Sequence, residues 1–346
     1  METNKKMKIS FFGFGTFNCA LAHYLTEKFS QDANFNFFFW DMDNTIFDNF
    51  IVNQTHPYHF TEKKFNKNLQ GCSDKETLIE DADLVILGID AQNINTALKG
   101  VNSLINKDTI FLIISKGIDN QTHELLSSVV QKNILNNRFN NPIAVFSGGT
   151  IASDIINQVP LIAEIACSDE SSAKRLADLL QSDTLQIYTN TDILAVELAG
   201  ALKNFISIGV GICEGLNLPI GTQASFITRA TLDIYKIAKK MGASDITFLP
   251  GSASFWSDIM LSAFGQTRNK EFGKRLCLEK KTPSEIINEM KKEHKTVEGY
   301  FTVKSAYALA QENKVITPLL NTIYQILYEN AQPQKILQTL IPDEKK

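Results

Sequence analysis

Residues Lys8–Leu25, KISFFGFGTFNCALAHYL, decide how the first half of this chain folds. Lys8–Phe12 is an apolar run too short for a helix and is followed by a glycine, which predicts a buried strand. Gly13-Phe-Gly15-Thr-Phe-Asn18 predicts a tight turn, and the residues after it run on as a helix. Strand, glycine turn and helix in that order form the context that a dinucleotide-binding turn requires. The first glycine makes the turn, and the second lets the backbone approach a pyrophosphate. The helix N-terminus then supplies amide donors and the positive end of its dipole. Asn18 stands where such turns carry a third glycine for close packing of helix on strand. Alone, a G-x-G at a strand end is a weak signal, and the surrounding chain has to support it.

Working outward, Phe35–Trp40 (FNFFFW) predicts a second strand, followed by Asp41-Met-Asp43. Asp41 or Asp43 fits the acidic residue that bonds an adenosine ribose, and no neighbouring lysine or arginine is placed to hold a 2′-phosphate. That favours NAD over NADP. Asp83–Ile89, Thr109–Ser115 and Ile143–Phe146 are further near-continuous apolar runs, which predict a parallel sheet buried on both faces. Two of them end in Ser115-Lys116-Gly117 and Ser147-Gly-Gly-Thr150. Residues at the carboxyl ends of parallel strands face the crevice where doubly wound sheets bind ligands. Leu161–Ala166 and Leu185–Tyr188 predict later strands flanking a helix over Ser171–Gln181. The stretch 47–72 is polar. Its His56 and His59, like His23, His123 and His294 elsewhere, have no acidic or cysteine partner at ligand spacing, so surface histidines and no metal site are expected.

After Asn190 the strand signals end. Helices are predicted at 192–213, 222–241, 253–263, 269–278, 283–293, 301–312, 317–329 and 333–340, several opening near a proline. The first of these lies in Asp192–Leu216, DILAVELAGALKNFISIGVGICEGL, an apolar run interrupted by Glu197, Lys203 and Asn204. These polar residues and a face of small side chains predict a buried core helix rather than a membrane span. A lysine in such a run either snorkels outward or is catalytic, with its pKa lowered by burial. The expected architecture is an α/β domain over 1–190, carrying a Rossmann-like doubly wound parallel sheet, and an all-α domain over 191–346.

Composition narrows the function classes. A chain of 346 residues with 44% apolar and 21% charged residues builds ordinary globular cores. A net charge of −4 with no basic stretch argues against a nucleic-acid binder. Five scattered cysteines and an N-terminus without a signal-peptide apolar core predict reduced thiols in a cytoplasmic protein. A homodimer is the default assembly.

Several blocks, in this order and at this spacing, resemble the bacterial-type NAD(P)-dependent glycerol-3-phosphate dehydrogenases. They are Gly13–Ala20, Ser115-Lys116-Gly117, Ser147–Thr150, Val196-Glu-Leu-Ala-Gly-Ala-Leu-Lys-Asn204, Ile227-Thr-Arg229, Asp258, Arg268-Asn-Lys-Glu-Phe-Gly273 and Val297-Glu-Gly299. The resemblance implies interconversion of sn-glycerol 3-phosphate and dihydroxyacetone phosphate with NAD(H), NADP being possible, as a supply to glycerophospholipid synthesis. It implies that Lys203 is the acid–base group at the C2 oxygen, that Lys116 polarises the substrate and that Asp258 orients the lysine. It implies substrate contacts at Gly148, Thr150, Asn204, Thr267, Arg268 and Asn269, with the last two on the phosphate. It implies cofactor contacts at Gly13, Gly15, Thr16, Phe17, Asp41, Lys116, Ala152, Arg268 and Glu298.

The chain departs from the family pattern at Asn18, at Gly149 in place of a proline, at Gly88-Ile-Asp90, at Met42, and in Ser252–Ser257, where Phe255 and Trp256 bring bulk next to Asp258. Two other readings follow from these departures. One is a dehydrogenase of the same fold acting on another small phosphorylated or hydroxyacid substrate. The other is a non-catalytic nucleotide-binding protein.

Overall fold

The computed structural model describes residues 6–133, 140–293 and 295–341, so His294 lies outside the described residues. The chain divides into two compact units. The first takes in Met1–Lys116 and Leu126–Ile193, the second Gly117–Leu125 and Leu194–Lys346.

The first unit alternates strand and helix. Its elements run β1 (Met7–Phe12), α1 (Thr16–Lys28), β2 (Phe35–Trp40), α2 (Asn44–Asn53), β3 (Leu69–Gly71), α3 (Lys75–Ile79), β4 (Leu84–Leu87) and α4 (Ile94–Ala97). They continue with β5 (Ile110–Ile113), α5 (Leu126–Asn133), β6 (Ile143–Ser147), α6 (Ala152–Ile156), β7 (Leu161–Cys167), α7 (Glu170–Leu180) and β8 (Leu185–Asn190). The eight strands form one sheet in the order β3-β2-β1-β4-β5-β6-β7-β8. The chain therefore reverses its direction of travel across the sheet between β1 and β4, the switch point at which ligands bind in open α/β sheets. Alternation along β1 shows helices on both faces. Ile9 and Phe11 share a core with α1 residues such as Leu21 and Leu25, whereas Ser10 donates to Leu78 O of α3 at 2.7 Å.

The sheet is mostly parallel rather than wholly so, because β7 runs antiparallel to β6. The link between them contains only the five-residue α6. At ~1.5 Å per residue that helix is too short to carry the chain back along a strand rising ~3.3 Å per residue. The hydrophobic pattern marks neither β3 nor the helices α2 to α6 individually. The three residues of β3 are too few to show a period, and they pair with Phe37–Phe39. Lysines from a strand and from a neighbouring helix close helix C-termini. Lys8 Nζ donates to Thr77 O and Glu80 O at the end of α3, and Lys28 Nζ donates to Leu179 O and Gln181 O at the end of α7. Each cation meets the negative end of a helix dipole.

The second unit is built on helices: α8 (Ile193–Gly215), α9 (Ile220–Lys240), α10 (Asp258–Phe264), α11 (Arg268–Leu278), α12 (Pro283–Lys292), α13 (Glu298–Glu312), α14 (Pro318–Tyr328) and α15 (Lys335–Leu340). By length and composition α8 could cross a membrane, yet 83% of its most apolar window is buried inside the fold. It is the central core helix of this unit. Its small residues let α11 approach to backbone contact. A Cβ on Gly211 would lie 2.1 Å from Lys270 O, and one on Gly273 would lie 2.1 Å from Ile208 O. Asp233 of α9, buried to 3% exposure, accepts from the amides of Leu319 and Leu320 and so caps α14 from another helix.

Candidate active site

The first unit places four loops side by side. Residues 13–15, 88–90, 115–116 and 148–150 follow β1, β4, β5 and β6, which are parallel neighbours in the sheet. All four therefore emerge at the carboxyl edge. In the first loop Gly13 has φ +80°, where a side chain would be strained, and a Cβ there would press on Gly88 O at 3.0 Å. Gly15 caps α1 without a side chain of its own. The first amides of α1, at Thr16 and Phe17, thus face no competing cap and no acidic residue in the first turn. This arrangement fits the pyrophosphate of a dinucleotide.

The turn is held from several sides. Asp41 Oδ2 accepts from Phe14 N at 2.6 Å and its Oδ1 accepts from Asp43 N at 3.0 Å. The expected ribose acid thus also braces the glycine turn, with lone pairs to spare. Asp43 caps α2 through Thr45 N, and Met42 is 80% exposed. His56 corrects the expectation of a surface histidine. Its exposure is 0%, and its Nδ1 accepts from Tyr58 N and His59 N. That leaves Nε2 to donate to Phe14 O at 2.9 Å. Burial, joined by His59 nearby, pushes its pKa down to about 4, so the ring is neutral at physiological pH. Phe14 itself stacks on Phe39 at 4.1 Å between ring centroids. No local motif marks His56, because its role comes from a long-range contact with residue 14. The ring of His59 lies 3.2 Å from Thr16 Oγ1.

Further along the edge, Lys116 Nζ donates to Gly148 O at 3.0 Å, and Thr150 N donates to the same oxygen at 2.8 Å. Lys116, Gly148 and Thr150 are therefore brought together. A Cβ on Gly148 would meet Ala163 Cα at 2.9 Å, which explains the glycine there. Ser115 Oγ donates to Ile89 O and steadies the neighbouring loop. Ala152 opens α6, which packs against α1. Phe17 is half-buried with its ring 5.9 Å from that of Phe146.

The second unit gathers the other expected residues. Lys203 Nζ is 2.6 Å from Asp258 Oδ1, and the carboxylate is completely buried. Asp258 is the first residue of α10 and follows a π-helical turn at Ala253–Ser257, where a single helix was expected over 253–263. Ser252 accepts from Phe255 N and starts that turn. The bulky pair points into the helical packing. Phe255 is buried with its ring 4.9 Å from Phe248, and Trp256 Nε1 donates to Phe248 O.

On α11, Asn269 joins three helices. Its Nδ2 donates to Asn204 Oδ1 at 3.0 Å, and its Oδ1 accepts from Gly299 N at 2.9 Å, beside Glu298 at the start of α13. Ser207 and Thr267 share a hydrogen bond of 2.6 Å, and Thr267 caps α11 through Lys270 N. Asn204 Nδ2 is buried and has no acceptor among the described residues. Arg268, at the first position of α11, is exposed and its guanidinium has no carboxylate partner among the described residues. A free guanidinium at a helix N-terminus, next to an amide donor without an acceptor, suits a phosphorylated ligand. Among the described residues, no group of three or more histidine, cysteine, aspartate or glutamate side chains could hold a metal.

Both halves of the chain match a known family. The description "NAD-dependent glycerol-3-phosphate dehydrogenase N-terminus" matches residues 8–173, and its C-terminus counterpart matches residues 192–338. The glycerol-3-phosphate dehydrogenase (NAD(P)+) of Staphylococcus epidermidis is 30% identical over 339 residues, which cover 98% of this chain and 99% of that protein. In fold, the chain is similar to glycerol-3-phosphate dehydrogenase from Coxiella burnetii, with TM-score 0.87, 24% identity and coverage of 98% and 99% of the two chains. It is also similar to the Plasmodium falciparum enzyme, with TM-score 0.89, 23% identity and coverage of 99% and 97%. The chain belongs to the NAD-dependent glycerol-3-phosphate dehydrogenase family.

Proposed function

We propose that this protein interconverts sn-glycerol 3-phosphate and dihydroxyacetone phosphate, using NAD(H) in preference to NADP(H). The observation that carries the reading is the Lys203–Asp258 pair on a helix whose next residue, Asn204, is bonded to Asn269 beside the unpaired Arg268. A bound nicotinamide supplies or accepts the hydride at C2. In the reductive direction Lys203 Nζ gives a proton to the C2 oxygen as the carbonyl becomes an alcohol, and in the oxidative direction it takes that proton back. Asp258 fixes the position of Nζ and balances its charge. Arg268 and Asn269 hold the phosphate, with Asn204 and Thr267 completing the substrate contacts. Lys116 supplies positive charge toward the substrate carbonyl, with Gly148 and Thr150 at its side.

On the cofactor, Gly13, Gly15, Thr16 and Phe17 take the pyrophosphate, Asp41 takes the ribose, and Ala152, Lys116, Arg268 and Glu298 add further contacts. The preference for NAD rests on Asp41 and Asp43 with the uncharged Met42 between them, since a 2′-phosphate would meet two carboxylates and no cation there. Free, mostly buried thiols support a cytoplasmic location, and a homodimer is the assembly we propose. The two domains we propose are 1–190 for the dinucleotide and 191–346 for substrate and catalysis.

The test is an assay of initial rates with dihydroxyacetone phosphate and either NADH or NADPH. The reading predicts NADH oxidation at a higher kcat/KM than NADPH oxidation. No oxidation of either cofactor would refute the activity, and a preference for NADPH would refute the assignment of Asp41 and Asp43.

A further inference from the structure

We propose that Asn18 is a positioning residue for the cofactor turn, filling a space that Gly88 leaves open and clamping the turn to two strands. The inference rests on the reading of residues 13–17 as the site of the dinucleotide. Asn18 occupies the third residue of α1 and is 99% buried, with 1% exposure. Its Nδ2 donates to Gly13 O at 2.6 Å and lies 3.4 Å from both Phe12 O and Ile86 O. One carboxamide thus touches the end of β1, the turn itself and β4. The reverse amide orientation would set Oδ1 against three carbonyl oxygens, so the network allows only one. Oδ1 is left buried with no partner among the described residues.

Space for this side chain comes from across the sheet edge. A Cβ on Gly88 would sit 2.4 Å from Asn18 Nδ2 and 2.6 Å from its Cγ. Residues 18 and 88 are therefore a matched pair. Where a glycine at position 18 would bring helix and strand together through missing bulk, this chain does so through a hydrogen bond. The bond also restrains Gly13 O. With Gly13 N donating to Trp40 O, Phe14 N to Asp41 and Phe14 O accepting from His56, the polar backbone atoms of residues 13 and 14 are all tied down. The amides of the following residues are the ones left for a ligand. Without the Asn18 clamp the planar Gly13–Phe14 peptide is held on one side only, by the bond from Phe14 N to Asp41, and the amides that follow lose part of their common direction.

The experiment uses the full-length protein and measures NADH binding by fluorescence titration together with steady-state kinetics. Asn18→Ala should weaken NADH binding and raise KM for NADH about tenfold, the effect of losing one well-formed buried hydrogen bond. Over the same change kcat should move by less than about twofold and KM for dihydroxyacetone phosphate should hold. Asn18→Asp is the sharper probe. A carboxylate in the first turn normally stabilises a helix, but here it cannot donate and faces three carbonyls. It should bind NADH more weakly than Asn18→Ala.

Gly88→Ala should weaken NADH binding in the wild-type background and have little further effect in the Asn18→Gly background, where the added methyl has room. NADH affinity unchanged in Asn18→Ala, or loss of affinity from Gly88→Ala that is the same in both backgrounds, overturns the clamp. A wild-type protein that binds neither NADH nor NADPH overturns the cofactor reading itself, and the clamp with it. Wild-type binding that the Asn18 variants leave intact overturns the clamp alone.

Discussion

Lys203 was an ambiguous residue in the sequence, because a lysine on an apolar helix is more often a snorkelling surface residue than a reactive one. In the fold it faces inward to the carboxylate of Asp258, at 2.6 Å and with that partner wholly buried. That contact spans 55 residues, so only the recurrence of separated blocks could hint at it. His56 is the opposite case. Nothing near it in the chain marks it, yet it is buried on the carbonyl of Phe14. Its folded pKa of about 4 lies below the ordinary histidine value of ~6.5. The unfolded chain therefore binds the proton more readily, and the stability that neutral His56 contributes is present above pH ~6.5 and is lost as pH falls toward ~4. In urea unfolding, the wild type should lose more stability between pH 7 and pH 5 than His56→Gln, which does not titrate. Equal losses in the two proteins would refute a buried neutral imidazole at this position.

At the scale of elements, long periodic segments were legible and short ones were not. Strands such as Phe35–Trp40 and helices such as Ile193–Gly215 declare themselves through runs of apolar residues. β3 and α6 are too short to carry a period, and the antiparallel β7 depends on the length of its connection, which hydrophobic pattern does not encode. The glycines of α8 and α11 were visible as small residues, but their purpose is visible only as backbone contact. Gly273→Ala should destabilise the helical unit by about 2–4 kcal/mol, because the new methyl would lie 2.1 Å from a carbonyl that belongs to a helix and cannot easily yield. A thermal midpoint unchanged from wild type would contradict this packing.

Asp233 makes a prediction of opposite sign to that of His56. Burial pushes its pKa up to about 6, against the pull of the two amides it caps. Because the folded value is the raised one, its protonated form adds stability that is complete below pH ~4 and is lost as pH rises through ~6. Relative to Asp233→Asn, the wild type should therefore lose about 2–3 kcal/mol of unfolding free energy between pH 4 and pH 6.5. A constant difference between the two proteins would refute it.

At the scale of the molecule, the α/β unit carries a glycine turn at its switch point, and the helical unit carries a lysine–carboxylate pair next to a free arginine. The division into these two kinds of structure could be read from where strand signals stop, at Asn190. The excursion of Gly117–Leu125 into the helical unit could not, since it rests on packing of Ile118 and Leu125 in that core and on Ser305 Oγ donating to Asn120 Oδ1. If Arg268 grips the phosphate, Arg268→Met should raise KM for dihydroxyacetone phosphate about a hundredfold, in line with loss of a charge-assisted contact, and a change below about threefold would reassign the residue.

The central claim is that Lys203 moves the proton at C2 of the substrate, and Lys203→Arg tests it most directly. Arginine keeps a cation beside Asp258 but does not release its proton at physiological pH. With dihydroxyacetone phosphate and NADH both saturating, kcat should fall at least about a hundredfold while the NADH dissociation constant stays within about threefold of wild type. A variant that turns over at the wild-type rate would contradict the assignment.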